Sequence, residues 1–307
     1  MIRIDIAEPA TIYVDDDGTA DFTSIQAAID SANIGDTIYV YAGIYRESLL
    51  INKDLTLIGE NKNAIIECPI QQHGIVVTAN NVEIKGFSIR NSSESYYGVY
   101  MYGVDNCIIR NCNFSFNYGG IYLYNGRNNL VIENEFFKNS YGISAIGLED
   151  SVIRENFFIK NFYKGIDLGT DTRNNTLFYN SFISNNIDAY DESIFINYWY
   201  CNTVGNYWEK YNGVDNDGDG IGDTPYPIEP LEKGNFDYYP LMEPYAGYDI
   251  FPPDIMNLQA IPQIQVPGGS VNISCKIIDN VEVNVAYVNI TLPNGSYINN
   301  SLNKINN

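Results

Sequence analysis

Histidine is nearly absent. One residue, His73, stands in a chain of 307. That excludes a His-rich metal centre and argues against a Ser-His-Asp triad. His73 sits in Gln71-Gln72-His73-Gly74 and reads as a solvated turn residue. Basic side chains are also scarce, 17 against 38 acidic ones, giving a formal charge of −21. Such a field repels phosphate backbones, so nucleic acid is not an expected partner. Long apolar runs are missing. Stretches such as Gly74–Ala79 fall far short of the roughly 20 residues that span a bilayer, so this segment is not expected to cross a membrane. No charged-then-apolar leader precedes Ile2–Pro9, so a removed signal peptide or a fragment is expected. The five cysteines (Cys68, Cys107, Cys112, Cys201 and Cys275) are odd in number and form no Cys-x-x-Cys. Buried thiols are expected, with a Cys107–Cys112 bridge left open. One His, four Met and five scattered Cys offer no soft-ligand cluster for copper.

Asparagine and tyrosine are abundant instead, at 40 and 26 residues. Asn is depleted in ordinary helices and strands, so this chain needs recurring turns to hold it. Ile109–Asn117, Val131–Asn139, Ile153–Asn161 and Leu177–Asn185 align without gaps. Their aromatic column is Phe114, Phe136, Phe158 and Phe182. The closing column is Asn117, Asn139, Asn161 and Asn185, and Asn91 extends it upstream. A second set follows: Gly98-Val99, Gly120-Ile121, Gly142-Ile143, Gly165-Ile166 and Asn186-Ile187, with Gly74-Ile75 as an earlier copy. A repeat of about 22 residues with alternating strand pieces and no helical pattern predicts an all-β, parallel β-helix. Stacked Phe and Ile fill the bore, and stacked Asn forms ladders at a turn. An open end needs a cap. Thr23-Ser24-Ile25-Gln26 has capping-box form, and Phe22, Ile25, Ala28 and Ile29 recur at helical spacing, so an N-terminal plug helix is expected over Ser24–Asn33. Strands are expected at Thr37–Tyr41, Ser48–Ile51 and Leu55–Ile58.

Asp21–Ile29, Gly35–Val40 and Gly43–Glu47 resemble the start of pectin-lyase-like right-handed β-helix proteins. Gly205-Asn206-Tyr207-Trp208, Asp215–Ile228 and Asp237–Leu241 resemble the close of NosD-type β-helix domains, over roughly residues 11–245 in all. That resemblance implies either an accessory of copper-site assembly or a surface protein of archaea and bacteria. The sulfur and imidazole inventory speaks against copper. Two domains are expected: 1–250, the β-helix with its helical cap and an acidic loop, and 251–307, an incomplete immunoglobulin-like module. In the latter, strands are expected at Val271–Ile278 and Val285–Leu292, with a hairpin turn at Pro293–Ser296.

Three sites are candidates. Asp215, Asp217, Asp219 and Asp223, with the Ile221 carbonyl, match the first nine positions of a calcium loop. Tyr226 replaces the closing Glu, so water or Asp237 would complete the oxygen cage. Second, residues after the Gly-Ile column should face outward: Tyr100, Tyr122, Ser144, Asp167 and Asp188, then Tyr102, Tyr124 and Tyr190. Such tyrosines suit sugar rings. Third, Asp167 and Asp188, one coil apart near Lys164, would serve as acid and nucleophile in glycoside cleavage. The expected function is a secreted or cell-surface protein, structural or carbohydrate-binding, with a polysaccharide or surface glycan as partner. A polysaccharide lyase or hydrolase on the Tyr/Asp face is the alternative, and a copper-maturation accessory the third.

Overall fold

A computed structural model of the chain describes residues 8–18 and 20–245, and the strands Asp254–Ile261, Asn272–Ile278, Ala286–Thr291 and Tyr297–Leu302. The chain divides into two units, Met1–Tyr245 and Ala246–Asn307. The first is a right-handed parallel β-helix of about 9 turns. The coils contribute short strands to three faces. The first face has eight strands, from Thr11–Val14 to Thr176–Phe178. The second has eight, from Gly43–Tyr45 to Tyr207–Trp208, and the third has seven, from Leu49–Ile51 to Ile187–Asp191.

The repeat columns stack as spaced. Ile109, Val131, Ile153 and Leu177 pair in register on the first face. Phe114, Phe136, Phe158 and Phe182 pair on the second, all with 0% exposure. Their rings lie 4.8–5.0 Å apart and within 8° of parallel. The stack continues into the C-terminal end through Trp208 at 4.3 Å and Tyr226 at 4.4 Å. The glycines beside this stack are required by packing. A Cβ on Gly142 would lie 2.4 Å from the Gly165 carbonyl oxygen and 2.6 Å from the Phe158 ring. Only a bare α-carbon lets coils approach so closely.

The N-terminal bore is closed by helix α1, Ile25–Ser31, which buries Ile25, Ala28 and Ile29. Its N-cap is Ser24 rather than Thr23, and the Ser24 Oγ accepts from Ala27 N. Glu47 completes the cap by accepting from Ile25 N at 2.9 Å and Gln26 N at 3.0 Å. Gln26 does not reach back as in a capping box; it bonds Leu50 N and Asp30. The early strands run Thr37–Val40, Leu49–Ile51 and Thr56–Gly59.

Asparagine ladders occupy all three corners of the coil. Each buried Asn takes the backbone N–H of the preceding coil on its Oδ1. One ladder runs Cys112, Asn134, Asn156, Asn180, Asn206. Another runs Ser92, Asn117, Asn139, Asn161, Asn185. The third runs Cys107, Asn129, Ser151, Asn175, Asn197. Ser92, not Asn91, stands in the second ladder, because the offset there is 25 residues. Asn91 is exposed at positive φ, and its backbone N–H donates to the Ser115 carbonyl of the next coil. Left-handed residues precede most of the buried ones, as at Glu133, Lys138 and Asn128. Cys107 and Cys112 are buried free thiols, so no bridge joins them.

Each ladder ends in a buried carboxylate. The Asn206 amide and backbone donate to Asp237, the Asn185 amide to Asp188, and the Asn197 amide to Asp191. A ring donor joins each: Trp208 Nε1 to Asp237 at 2.9 Å, Tyr226 hydroxyl to Asp188 at 3.4 Å, Trp199 Nε1 to Asp191 at 3.1 Å. Amides such as Asn134, Asn139, Asn156 and Asn180 give one N–H back to a carbonyl of the preceding coil and the other onward to the next Asn Oδ1, so an acceptor-only group is the complementary stop at the C-terminal end.

In the second unit, Asp254–Ile261 pairs antiparallel with Asn272–Ile278, and Ala286–Thr291 with Tyr297–Leu302. The turn at 293–296 and the side chains of this unit lie outside the described residues, as does the immunoglobulin-like reading that depends on them.

Candidate functional site

The third face carries the tyrosines, because alternation along its strands sends Val99, Ile121, Ile143 and Ile166 inward and their neighbours outward. Tyr100 and Tyr122 stack at 5.2 Å and 20°, and Tyr102 and Tyr124 at 5.3 Å and 18°. Rings lying flat side by side would collide at this separation, so each parallel pair overlaps face over face. The rows therefore present edges and hydroxyls to solvent, rather than the open faces expected for sugar stacking. His73 heads the row and is not a solvated turn residue. Its ring lies 4.5 Å from Tyr100, and its Nδ1 accepts from Tyr97 N at 3.0 Å. Burial holds this imidazole below its ordinary range.

The expected register slips at the last coil. Ile166 pairs with Ala189 and Asp167 with Tyr190, so Tyr190 belongs to the Tyr100 column and not to the Tyr124 column. Asp188 falls opposite Gly165 and points inward, 4% exposed, as the stop of a ladder. Lys210 pairs with it at 3.1 Å, yet burial raises its pKa. Asp167 faces outward and pairs with Lys164 at 2.7 Å. Lys164 Nζ also sits 3.6 Å from the Tyr190 ring centre. Asp167 and Asp188 thus leave opposite sides of their strands, and the two-carboxylate geometry of glycoside cleavage is not assembled.

The acidic loop is tied over the C-terminal end by Gly222 N to Pro240 O and Leu241 N to Asn206 O. One oxygen each of Asp215, Asp217 and Asp219 lies within 4.8 Å of the others. Asp215 accepts from Gly218 N and Gly220 N, which holds its carboxyl below the usual range. Asp219 accepts from Ile221 N at 2.8 Å. Asp223 turns instead to Asn216, whose backbone N–H it accepts at 2.9 Å. Asp237 is fully buried at the ladder end, so it does not complete an oxygen cage there. Sequence reasoning missed its role and that of Asp191. The recurrence of Asn206 one coil beyond Asn180 was the available signal for the first.

A family model described as "Right handed beta helix region" matches residues 58–221. A "Cell surface glycoprotein" of Methanothermus fervidus is 40% identical over 92 residues, 29% of this chain and 15% of that protein. The chain therefore spans a small part of that relative's length. Among solved structures, pectin methylesterase from carrot aligns at a TM-score of 0.42 and 13% identity, over 67% of this chain and 73% of the enzyme. An alginate lyase from Paenibacillus aligns at a TM-score of 0.39 and 9% identity, over 62% of this chain and 98% of the lyase. Among the described residues no helix is long and apolar enough to cross a membrane.

Proposed function

The chain belongs to the right-handed β-helix family, and we propose that it is a cell-surface protein that binds glycan without cleaving it. The relative's description as a cell surface glycoprotein supports the location. The observation that carries the binding reading is the double tyrosine row on a flat parallel sheet, Tyr100–Tyr122 beside Tyr102–Tyr124. Its hydroxyl edges repeat at the coil spacing and can meet successive hydroxyl groups of a polymer. The unassembled Asp167–Asp188 pair favours binding over cleavage. The NosD-type closing motif fits this surface role and gives no soft ligands for copper. We also propose that Asp215, Asp217 and Asp219 hold a calcium ion that pins the acidic loop over the capped end.

A glycan array paired with reducing-end assays tests the main reading. Retention of at least one glycan, weakened in a Tyr102→Ala/Tyr124→Ala variant and without new reducing ends, is the expected result. Release of reducing ends by the native protein would replace binding with catalysis, and an array without hits would remove the glycan reading.

A further inference from the structure

A second column lies outside the tyrosine rows, in the turns that lead from the third face into the first. Arg127, Glu149 and Arg173 are bridged there in successive coils. Arg127 Nη2 lies 2.5 Å from Glu149 Oε2, and Arg173 pairs with the other oxygen. The Arg173 guanidinium in turn lies 5.3 Å from the centre of the Phe195 ring. These side chains, with Asn125 and Asp171, line a cavity of about 370 Å³. Its floor includes Gly147, at φ 65°, where a Cβ would meet Asn125 Oδ1 at 2.2 Å.

The chemistry of the lining narrows the ligand. Glu149 is nearly covered and fills the fork between the guanidinium groups, while the arginine side chains stay 55% and 40% exposed. Each guanidinium has five N–H donors and gives few of them to Glu149. Asp171 and Asn125 supply acceptors. Two positive and two negative groups cancel, and the whole chain carries −21. A carboxylate or phosphate would face Glu149 and Asp171 at close range in that field, so an anion is disfavoured. A neutral ring with many hydroxyl groups and one apolar face satisfies every group: N–H donors meet its oxygens, Asp171 accepts its hydroxyl protons, and Phe195, 40% exposed, meets its C–H face. The volume is at the low end of ligand sites, enough for one ring and not a chain. We infer that this cavity binds a single neutral hexopyranose unit. The inference rests on the glycan-binding reading: Asn125 directly follows Tyr124, so a glycan lying on the tyrosine rows has an end within reach of the cavity.

Calorimetric titration separates the two sites. The probes are cellobiose and mannobiose, their hexasaccharides, and di- and hexagalacturonate as acidic counterparts. Native protein is compared with Phe195→Ala, Arg173→Lys and Tyr102→Ala/Tyr124→Ala. Arg173→Lys keeps the charge and removes the planar fork, so it tests recognition rather than folding. A neutral disaccharide should bind native protein, weaken about tenfold or more in both cavity variants, and bind the tyrosine variant unchanged. A neutral hexasaccharide should weaken in all three. If cavity variants bind like native while the tyrosine variant loses the hexasaccharide, the cavity inference falls and the tyrosine reading stands. Binding of hexasaccharides without binding of any disaccharide likewise overturns the cavity and leaves the tyrosine rows. Binding of galacturonates alone overturns the neutral assignment. No binding by any probe removes both.

Discussion

Asp237 offers a quantitative test of the ladder stops. Burial pushes its carboxyl up from 3.8 to about 6, against four N–H donors that favour the anion. The folded protein therefore holds this proton more tightly than the unfolded chain. Above pH 6 the buried charge exacts its full cost, and stability should rise as pH falls through 6 toward the unfolded value of 3.8. About two pKa units at 1.36 kcal/mol each gives roughly 3 kcal/mol between pH 7 and pH 4. Asp188 and Asp191 are also raised by burial, so the native curve contains their contributions with the same sign. The comparison with Asp237→Asn removes them, because they titrate in both proteins. The amide keeps one acceptor for Asn206 N and Trp208 Nε1 but turns a donor toward Tyr239 N, so the variant has its own constant penalty. What matters is the pH dependence of the difference. Urea titrations followed by tryptophan fluorescence suit the purpose, since both tryptophans, Trp199 and Trp208, bond to ladder-end carboxylates. The difference between the two proteins should change by roughly 3 kcal/mol from pH 4 to pH 7, in favour of the variant at the higher pH. A difference constant to within about 0.5 kcal/mol would refute the reasoning.

Phe136→Ala should cost about 3–5 kcal/mol in the same denaturation assay, and a loss below about 1 kcal/mol would contradict a stacked, buried ring. Gly142→Ala drives a methyl against the Gly165 carbonyl and the Phe158 ring; it should destabilise by more than about 2 kcal/mol, or prevent folding. Gly103→Ala, at φ 61° with open space around it, should cost only about 1 kcal/mol. For the acidic loop, millimolar calcium should raise the melting temperature and EGTA lower it, with the difference abolished in Asp217→Ala/Asp219→Ala; identical calorimetric transitions in both buffers would remove the ion.

The coil register was legible because bore residues repeat with little freedom. Phe114 through Phe182 must stack, so their spacing is written openly. The slip at the last coil has a physical cause. Asn186-Ile187 imitates the Gly-Ile pair, but the inward site opposite Gly165 takes Asp188, a polar residue tolerated there because the Asn185 amide needs an acceptor. The third ladder was harder to see, since Ser151 interrupts Asn129 and Asn175 while its hydroxyl performs the same bonding. The cavity could not be read at all. Arg127, Glu149 and Arg173 look like scattered surface charges until successive coils bring them together.

Because the Asn rungs recur from coil to coil between Ser92 and Asn206 while the carboxylates that end the ladders stand only beyond the last of them, elongation and termination are written in separate parts of the chain. A whole coil inserted in the middle would meet amide above and amide below, and the closing machinery would not register the change. The length of the rod is thus a variable that mutation can adjust in steps of one coil, whereas the three acids act as a full stop that must be kept intact.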